Sequence, residues 1–444
     1  MTAIRVSRLR WALILLVAAL AALATLALLR GERLGDQRVQ LPFDFRQTAG
    51  TSTDTLISSL QDKIRENPKD FDSHIGLANA YLQKVQETGA PTLYTKTEDL
   101  LDKSSKLENQ SADLVASRGS LALARHDFAA AFEQGTRALA LDPGNARYYG
   151  IVGDAQIELG MYDEAIQSYQ EMVDRRPDFD SFSRVAYARE LYGDPEGAIE
   201  AMEFALQAGS GTPENVAWAH VQLGNLWFTS GKLKEAQKAY GLSTKTVGAY
   251  APALAGRAKI AAARGDLDQA ATLYQQAFNR MPLPEYAIAL GDVYAEMGET
   301  EKAKEQYVLV RSMDNLLRAN GVDTYLEIAL FNADHDIDLQ PSLEKARAAY
   351  DARPSIHAAD VLSWTLYKAG NYKEAQEYSS EALKLGTRDP LKLFHAGMIA
   401  KALGEEEQAR TYLQQAVDLN PHFSLLYADE AADDLKSLKA GGED

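Results

Sequence analysis

The sequence predicts an all-α fold in which antiparallel helix pairs stack side by side into a solenoid. Three observations lead to this prediction. Apolar residues recur at steps of three and four, which is the spacing of an amphipathic helix. A glycine followed five residues later by an alanine recurs in phase, and prolines end many of the intervening segments. One helix pair cannot bury its apolar face alone, so it requires copies of itself beside it.

The pattern is clearest between residues 146 and 177. We expect Gly160 to adopt the left-handed conformation that ends the first helix, and Asp163 to cap the start of the second. Pro177 should stop the second helix, because proline lacks the backbone N–H that a helix interior uses. This stretch therefore predicts one antiparallel helix pair.

Copies of this pair fill most of the chain. The glycine-to-alanine step recurs as Gly160/Ala165, Gly193/Ala198, Gly231/Ala236, Gly265/Ala270, Gly298/Ala303, Gly370/Ala375 and Gly404/Ala409. Most of these alanines lie 33 or 34 residues apart. A period of about 34 residues with small side chains at the helix crossings resembles the tetratricopeptide repeat. The resemblance implies a right-handed α-solenoid of about ten helix pairs.

The repeat phase divides the chain into five parts. These are a basic tail at 1–10, a transmembrane segment at 11–29, a linker at 30–53, the solenoid at 54–421, and a capping helix with its tail at 422–444. We expect Asp54 to cap the first helix and the capping helix to run from Phe423 to Leu438. A polar terminal helix is needed because an uncovered repeat exposes its apolar face.

The segment from Trp11 to Leu29 is apolar throughout. As a helix it rises about 28 Å, which is enough to cross the hydrocarbon core of a bilayer. The alternative is a signal peptide cleaved after Ala22-Leu23-Ala24, which would leave a secreted protein. Signal cores are usually shorter, so we favour an anchor. The arginine-rich N-terminal tail favours an N-terminus inside and a solenoid outside the cytoplasm.

The chain is acidic and contains no cysteine. It has 46 Lys and Arg against 63 Asp and Glu, a net charge of -17. This acidity argues against binding nucleic acid or anionic lipid, because both require a basic surface. The lack of cysteine excludes disulfides, zinc–thiolate sites, thiol catalysis and a lipidated cysteine. We interpret the acidity as that of a long, solvated helical surface.

One cluster, residues 334–338 with the sequence DHDID, resembles a metal site. Its alternating acids are similar to an EF-hand loop, but Leu339 replaces the required glycine and Lys345 the final glutamate. We interpret the cluster as a solvated loop. No nucleophile–base pair or phosphate-binding loop stands out elsewhere, so we predict neither a cofactor nor enzymatic activity.

The resemblance also implies where a partner binds, because the first helix of each tetratricopeptide pair lines a concave groove. Repeat phasing assigns to that groove Tyr187, Asn225, Phe228, Lys259, Asp292, Phe331, Trp364, Tyr367, Phe394 and Met398. The five C-terminal residues are expected to form an exposed apolar strip, since aromatic and methionine side chains anchor many interfaces. The alternative is that neighbouring helices cover them as core. Only Asn225 and Lys259 match the positions with which some family members bind a terminal carboxylate, so we do not predict that mode.

These observations predict a membrane-tethered scaffold whose groove binds a protein or peptide outside the cytoplasm, in envelope assembly or secretion. The stretches 282–298, 316–335 and 353–364 also resemble bacterial membrane-anchored tetratricopeptide proteins. Two alternatives remain. One is a tethered adaptor that faces the cytoplasm, and the other is a structural solenoid that associates with copies of itself end to end.

Overall fold

A computed structural model describes residues 52–209 and 212–440. The predicted basic tail, the predicted membrane segment and nearly all of the predicted linker lie outside the described residues. Within the described part, no helix has the length and apolar character needed to cross a bilayer. All regular elements of this part are α-helices.

The described part of the chain contains twenty-two helices, joined by short turns. They are α1 (Thr53–Glu66), α2 (Phe71–Thr88), α3 (Thr92–Leu107), α4 (Ala112–Ala124), α5 (Phe128–Leu141), α6 (Ala146–Glu158), α7 (Tyr162–Arg175), α8 (Phe179–Leu191), α9 (Pro195–Ala208), α10 (Pro213–Thr229), α11 (Leu233–Thr246), α12 (Ala251–Ala263), α13 (Leu267–Arg280), α14 (Pro284–Glu296), α15 (Thr300–Ala319), α16 (Tyr325–Asp334), α17 (Leu339–Ala352), α18 (Ile356–Lys368), α19 (Tyr372–Ala382), α20 (Pro390–Ala402), α21 (Glu406–Leu419) and α22 (Ala428–Ala440).

From α2 to α21 these helices form ten pairs that stack in chain order. Helix α1 precedes the first pair, and α22 packs on the last one. The prediction of an all-α solenoid of about ten pairs with a C-terminal capping helix is therefore confirmed. The right-handed sense of the solenoid stays a prediction.

Small residues occupy the helix crossings, as the sequence predicted. Ala165, Ala198, Ala236 and Ala270 are all 0% exposed. Gly160 has a φ of +71°, so it takes the left-handed conformation that ends α6. A larger side chain at any of these alanines would force two packed helices apart.

Two predicted caps are wrong by two residues. Met161 occupies the N-cap position of α7, and Asp163 lies in the first turn, where its negative charge still favours the helix dipole. At the start of α1, Ser52 takes the N-cap position instead of Asp54, and its hydroxyl accepts a hydrogen bond from the Thr55 N–H at 3.2 Å.

The capping helix starts later than predicted, at Ala428 and not at Phe423. The preceding residues 420–427 form turns and bends, and we call this segment the strap. The side chain of Asn420 at one end and that of Tyr427 at the other bond to distant repeats. These tertiary bonds replace the helical conformation that the local sequence favours.

The solenoid winds back on itself, so that its second winding lies directly on its first. Hydrogen bonds connect residues 192 to 197 positions apart, namely His126 with Asp323 (2.9 Å), Tyr162 with Ile356 (2.7 Å) and Phe228 with Asn420 (2.8 Å). In each case the turn inside a pair of the first winding meets the connection between two pairs of the second. One winding thus takes about 5.7 repeats of about 34 residues.

Three of the repeat glycines allow this close approach. Their φ angles lie between +70° and +72°, and they face carbonyl oxygens of the second winding: Gly160 faces Pro354, Gly193 faces Gly386 and Gly231 faces Leu419. A Cβ atom on Gly160 or Gly231 would lie 2.5 Å from the facing oxygen. Glycine is therefore required here both for its conformation and for the space it leaves.

We predict that Gly231→Ala destabilises the protein more than Gly265→Ala does. Both glycines have a left-handed conformation, which costs an alanine about 1–2 kcal/mol. At Gly231 the new methyl group would also meet a carbonyl oxygen, which adds about 1–3 kcal/mol to the loss of stability. At Gly265 no atom lies within 4 Å of the added Cβ, so this second cost is absent. Urea unfolding of both variants measures the difference. Equal losses would show that the two windings do not touch at this point.

Candidate functional site

All of the predicted groove residues lie on the first helices of their pairs. Tyr187 is on α8, Asn225 and Phe228 are on α10, Lys259 is on α12, Asp292 is on α14, Phe331 is on α16, Trp364 and Tyr367 are on α18, and Phe394 and Met398 are on α20. They fall into two groups with different surroundings. The C-terminal group packs into the core, whereas most of the N-terminal group surrounds two cavities.

The exposed apolar strip expected at the C-terminal end is not present. The four side chains that are between 0% and 4% exposed are Phe331, Trp364, Phe394 and Met398. Tyr367 is half-buried. Trp364, Phe394 and Met398 are buried because the strap and the capping helix close over this end of the solenoid, and Tyr427 joins their core cluster. Phe331 is buried instead against Val310 and Tyr307 of the preceding pair.

A carboxylate at the end of α16 holds the tryptophan inward. The Oδ1 atom of Asp334 accepts hydrogen bonds from Trp364 Nε1 at 2.8 Å and from the Tyr427 hydroxyl at 2.9 Å. The Trp364 ring also stacks on His395, with centroids 4.2 Å apart. Burial raises the pKa of Asp334 even though these donors favour its charged form. Asp334 is therefore part of the packing and not of a solvated loop, which corrects the prediction for this residue.

The next residue of that cluster is also engaged in packing. His335 Nε2 lies 2.8 Å from Asp292 Oδ1, and the Tyr307 hydroxyl donates to the same oxygen at 2.8 Å. Asp336 and Asp338, in contrast, are exposed as predicted. Among residues 52–209 and 212–440, no group of three or more histidines and acids is arranged to hold a metal ion.

Other first-helix polar groups bond to their own or neighbouring repeats. The Tyr240 hydroxyl donates to Asn225 Oδ1 at 2.8 Å. Arg184 donates to both carboxylate oxygens of Asp154, at 2.7 and 2.8 Å. Asn225 thus takes part in packing within its own pair, and its binding role stays a prediction.

The larger cavity, of about 230 Å³, lies between α10, α12, α14 and the strap. Phe228, Lys259, Tyr274 and Asp292 line one side of it, and residues 421–425 of the strap line another. The sequence assigned Phe228, Lys259 and Asp292 to the groove, and these residues of three successive first helices therefore meet at one site. The strap was not predicted to reach it.

Lys259 is the free cation of this larger cavity. Its side chain is exposed, and its Nζ atom lies 6.0 Å from the centroid of the Phe228 ring. Among the residues that the structure describes, its ammonium group has no hydrogen bond or ion pair. The protein that surrounds it displaces water and lowers the pKa of Lys259. An ammonium group placed in this way can bind a carboxylate through a charge-assisted hydrogen bond.

The smaller cavity, of about 80 Å³, lies where the two windings meet. Tyr187 and Glu190 of the first winding line it together with His357 and Asp389 of the second. The Tyr187 hydroxyl is 3.2 Å from His357 Nε2. Tyr187, which the sequence assigned to the groove, therefore contributes to the contact between windings.

Charged groups around the smaller cavity have shifted pKa values. Burial and the charge of Asp389 raise the pKa of Glu190 to about 7. Burial also lowers the pKa of His357 to about 4. The pKa of Asp389 falls to about 2, because the charge and hydrogen bond of Lys392 outweigh the effect of burial. The unusual pKa of Glu190 could not be predicted from the sequence, because the residues that surround its carboxylate belong to the second winding.

Two tetratricopeptide repeat family models match the chain, one at residues 117–178 and the other at residues 393–423. The first match covers α4 to α7, and the second covers α20 and α21. The pairs α6/α7 and α20/α21 have the glycine-to-alanine step followed by a proline, whereas the pair α4/α5 has His126 in place of the glycine.

Two curated relatives share part of the chain. The human protein O-mannosyl-transferase TMTC3 is 23% identical over 269 residues, which are 54% of this chain and 28% of that protein. The small glutamine-rich tetratricopeptide repeat-containing protein 2 of Saccharomyces cerevisiae is 31% identical over 96 residues, or 21% of this chain and 28% of that protein. The chain thus spans under a third of either relative. The transferase activity in the first name belongs to that protein.

Several solved structures also align with this chain at low scores. The yeast Tom70 structure has a TM-score of 0.39 at 13% identity and covers 88% of this chain and 97% of its own. The Cut9-Hcn1 hetero-tetramer of the APC/C has a TM-score of 0.37 at 15% identity and covers 89% and 95%. Scores this low say nothing about function.

We predict that Trp364→Ala costs about 3–5 kcal/mol of unfolding free energy, because it opens a cavity in the core and removes a donor to Asp334. Trp218→Ala is the matched control, since Trp218 is 37% exposed. Urea unfolding of the two variants measures both losses. A small loss at Trp364, similar to that at Trp218, would contradict its burial and restore the exposed strip.

We predict that Glu190→Gln raises stability above neutral pH and leaves it unchanged in acid. The pKa of Glu190 rises from 4.5 to about 7, so its ionisation costs stability as the pH rises through this window. Glutamine removes that cost. Melting temperatures at about pH 5 and about pH 8 test the prediction. Glu164→Gln, on the exposed face of α7, is the control. A gain that is equal at both pH values would contradict the raised pKa.

Proposed function

Since this chain belongs to the tetratricopeptide repeat family, we propose that it is a non-catalytic scaffold that binds an extended segment of a partner protein. The observation that carries this proposal is the larger cavity, in which Lys259 has an unpaired ammonium group beside the ring of Phe228. The proposed binding surface therefore lies on α10, α12 and α14, and not on the aromatic residues near the C-terminus.

The size and chemistry of the cavity favour a peptide over a metabolite. Its volume of about 230 Å³ is below the roughly 300–1,000 Å³ of most small-molecule pockets, so it accommodates a few side chains. An acidic group of the partner would reach Lys259, whose neighbour Phe228 is already buried. This contact loses water on binding, which strengthens the charge pair.

We also propose that residues 11–29 tether the scaffold, a right-handed solenoid, to a membrane. The N-terminus lies inside the cytoplasm and the solenoid outside it. There the scaffold takes part in envelope assembly or secretion. The support is the unbroken apolar run and the arginine-rich tail before it. Protease accessibility in intact cells distinguishes this topology from a cytoplasm-facing adaptor. Sedimentation distinguishes a monomeric scaffold from end-to-end self-association.

We predict that Lys259→Glu abolishes partner binding without loss of stability. A photo-crosslinking residue at position 263, which lines the same cavity and leaves Lys259 in place, first identifies the partner in cells, and the affinity of the purified pair is then measured. Charge reversal should weaken binding by at least about tenfold. Lys238→Glu is the control, because Lys238 is an exposed lysine on the second helix α11. If the two variants bind equally, or if melting falls only in Lys259→Glu, the cavity is not the binding site.

We predict that the full chain stays in the membrane pellet during carbonate extraction. Leu16→Arg together with Leu20→Arg should release it or block insertion, at about 2–3 kcal/mol per charge. Immunoblotting of pellet and supernatant measures the partition. A mature N-terminus at Thr25 would instead identify a cleaved signal peptide.

A further inference from the structure

The strap occupies one side of the cavity in which the proposed partner binds. We propose that the strap is an intramolecular competitor, which occupies one side of this groove until a partner segment displaces it. The identity of the natural ligand rests on the proposed function, whereas the competition itself rests on the contacts of the strap. The partner then belongs to a definite chemical class: an extended segment that carries an aliphatic residue, as the strap does.

Two anchors hold the strap at its ends. Asn420 is 1% exposed, and its Nδ2 atom donates to the Phe228 carbonyl of the first winding at 2.8 Å. At the other end, the Tyr427 hydroxyl donates to Asp334 at 2.9 Å. Phe228, which lines the cavity, is therefore also the residue whose backbone holds the strap.

Between these anchors two side chains hold the strap, since the Phe423 ring lies 5.7 Å from the Phe394 ring and Leu425 packs on a neighbouring core. Pro421, His422 and Leu426 are exposed, and the cavity of about 230 Å³ lies against the segment. Within the described residues, the backbone hydrogen bonds of the strap are local, such as that from the Phe423 N–H to the Asn420 carbonyl at 3.3 Å. No sheet or helix would have to break for the strap to leave. A segment whose backbone hydrogen bonds are local can open without the rest of the fold.

One aliphatic side chain of the strap enters the first winding. Leu425 lines the cavity with Lys259 and packs on the apolar core of α12, α13 and α14. Its neighbour Leu426 is 37% exposed. Leu425 therefore occupies the place that an aliphatic residue of a partner would take beside Lys259. A partner must replace this contact. Its apparent affinity is therefore the intrinsic affinity multiplied by the fraction of molecules in which the strap is open.

The test uses a fluorescein-labelled peptide of residues 418–429, added to the purified full chain. In the wild-type protein its own strap fills the groove, so the peptide should bind weakly. Leu425→Ser frees the groove, and the peptide should then bind about tenfold more tightly. Leu426→Ser is the matched control and should behave like the wild type. Fluorescence anisotropy measures the three dissociation constants, and circular dichroism checks that the helices are intact.

Equal binding to all three proteins, or no binding to folded Leu425→Ser, would overturn the proposal. If Leu425→Ser does not fold, Tyr427→Phe replaces it, since this change removes only the hydroxyl at one anchor, and it should also tighten binding. Hydrogen exchange on the wild type is the second readout. Saturating peptide should speed exchange at the Phe423 and Leu426 amides, and unchanged exchange would contradict displacement.

The two proposals fail in different ways. If the peptide shows no preference for the open variant but Lys259→Glu still abolishes partner binding, the groove binds a partner without competition from the strap. If the peptide prefers the open variant but no partner depends on Lys259, the strap closes a groove whose function lies elsewhere. In the first case this inference fails, and in the second the proposed function does.

Discussion

Backbone contact between the two windings is the constraint on which the rest of this structure depends. The turns that contain Gly160, Gly193 and Gly231 meet carbonyl oxygens of residues more than 180 positions further along the chain. Repeat proteins usually gain stability only from adjacent repeats, so damage stays local. Here a repeat also contacts one in the next winding. This contact closes both cavities, because each has one wall from the first winding and another from the second.

The closed C-terminal end assigns the aromatic residues there to the core. Trp364 and Phe394 are covered by the strap and by the capping helix, so they cannot contact a partner while this end is closed. Lys259 differs from them, because its side chain is exposed and forms no ion pair within the described residues. The surrounding protein lowers the pKa of Lys259, and the charge of Glu285 partly opposes this shift.

The strap connects these two regions. Tyr427 bonds to the carboxylate that holds Trp364, and Asn420 bonds to the backbone of Phe228 beside Lys259. Opening the strap would therefore remove part of the cover of the C-terminal core and free the groove of the first winding at the same time. The proposed binding site and the C-terminal core thus share a single segment of about eight residues, so a change in this segment would affect both.

The sequence by itself determined the local architecture of this protein. Periodic glycines and alanines specify helix pairs and their crossings, because these features depend on residues within one repeat, and they also located Lys259 and Phe228 on first helices. Only the tertiary structure decided which of those residues are free. The burial of Trp364 depends on Asp334 and Tyr427, which lie in other repeats, and the raised pKa of Glu190 depends on Asp389 of the second winding. A repeat pattern carries no information on how many repeats complete one winding, so contacts between windings could not be predicted from it.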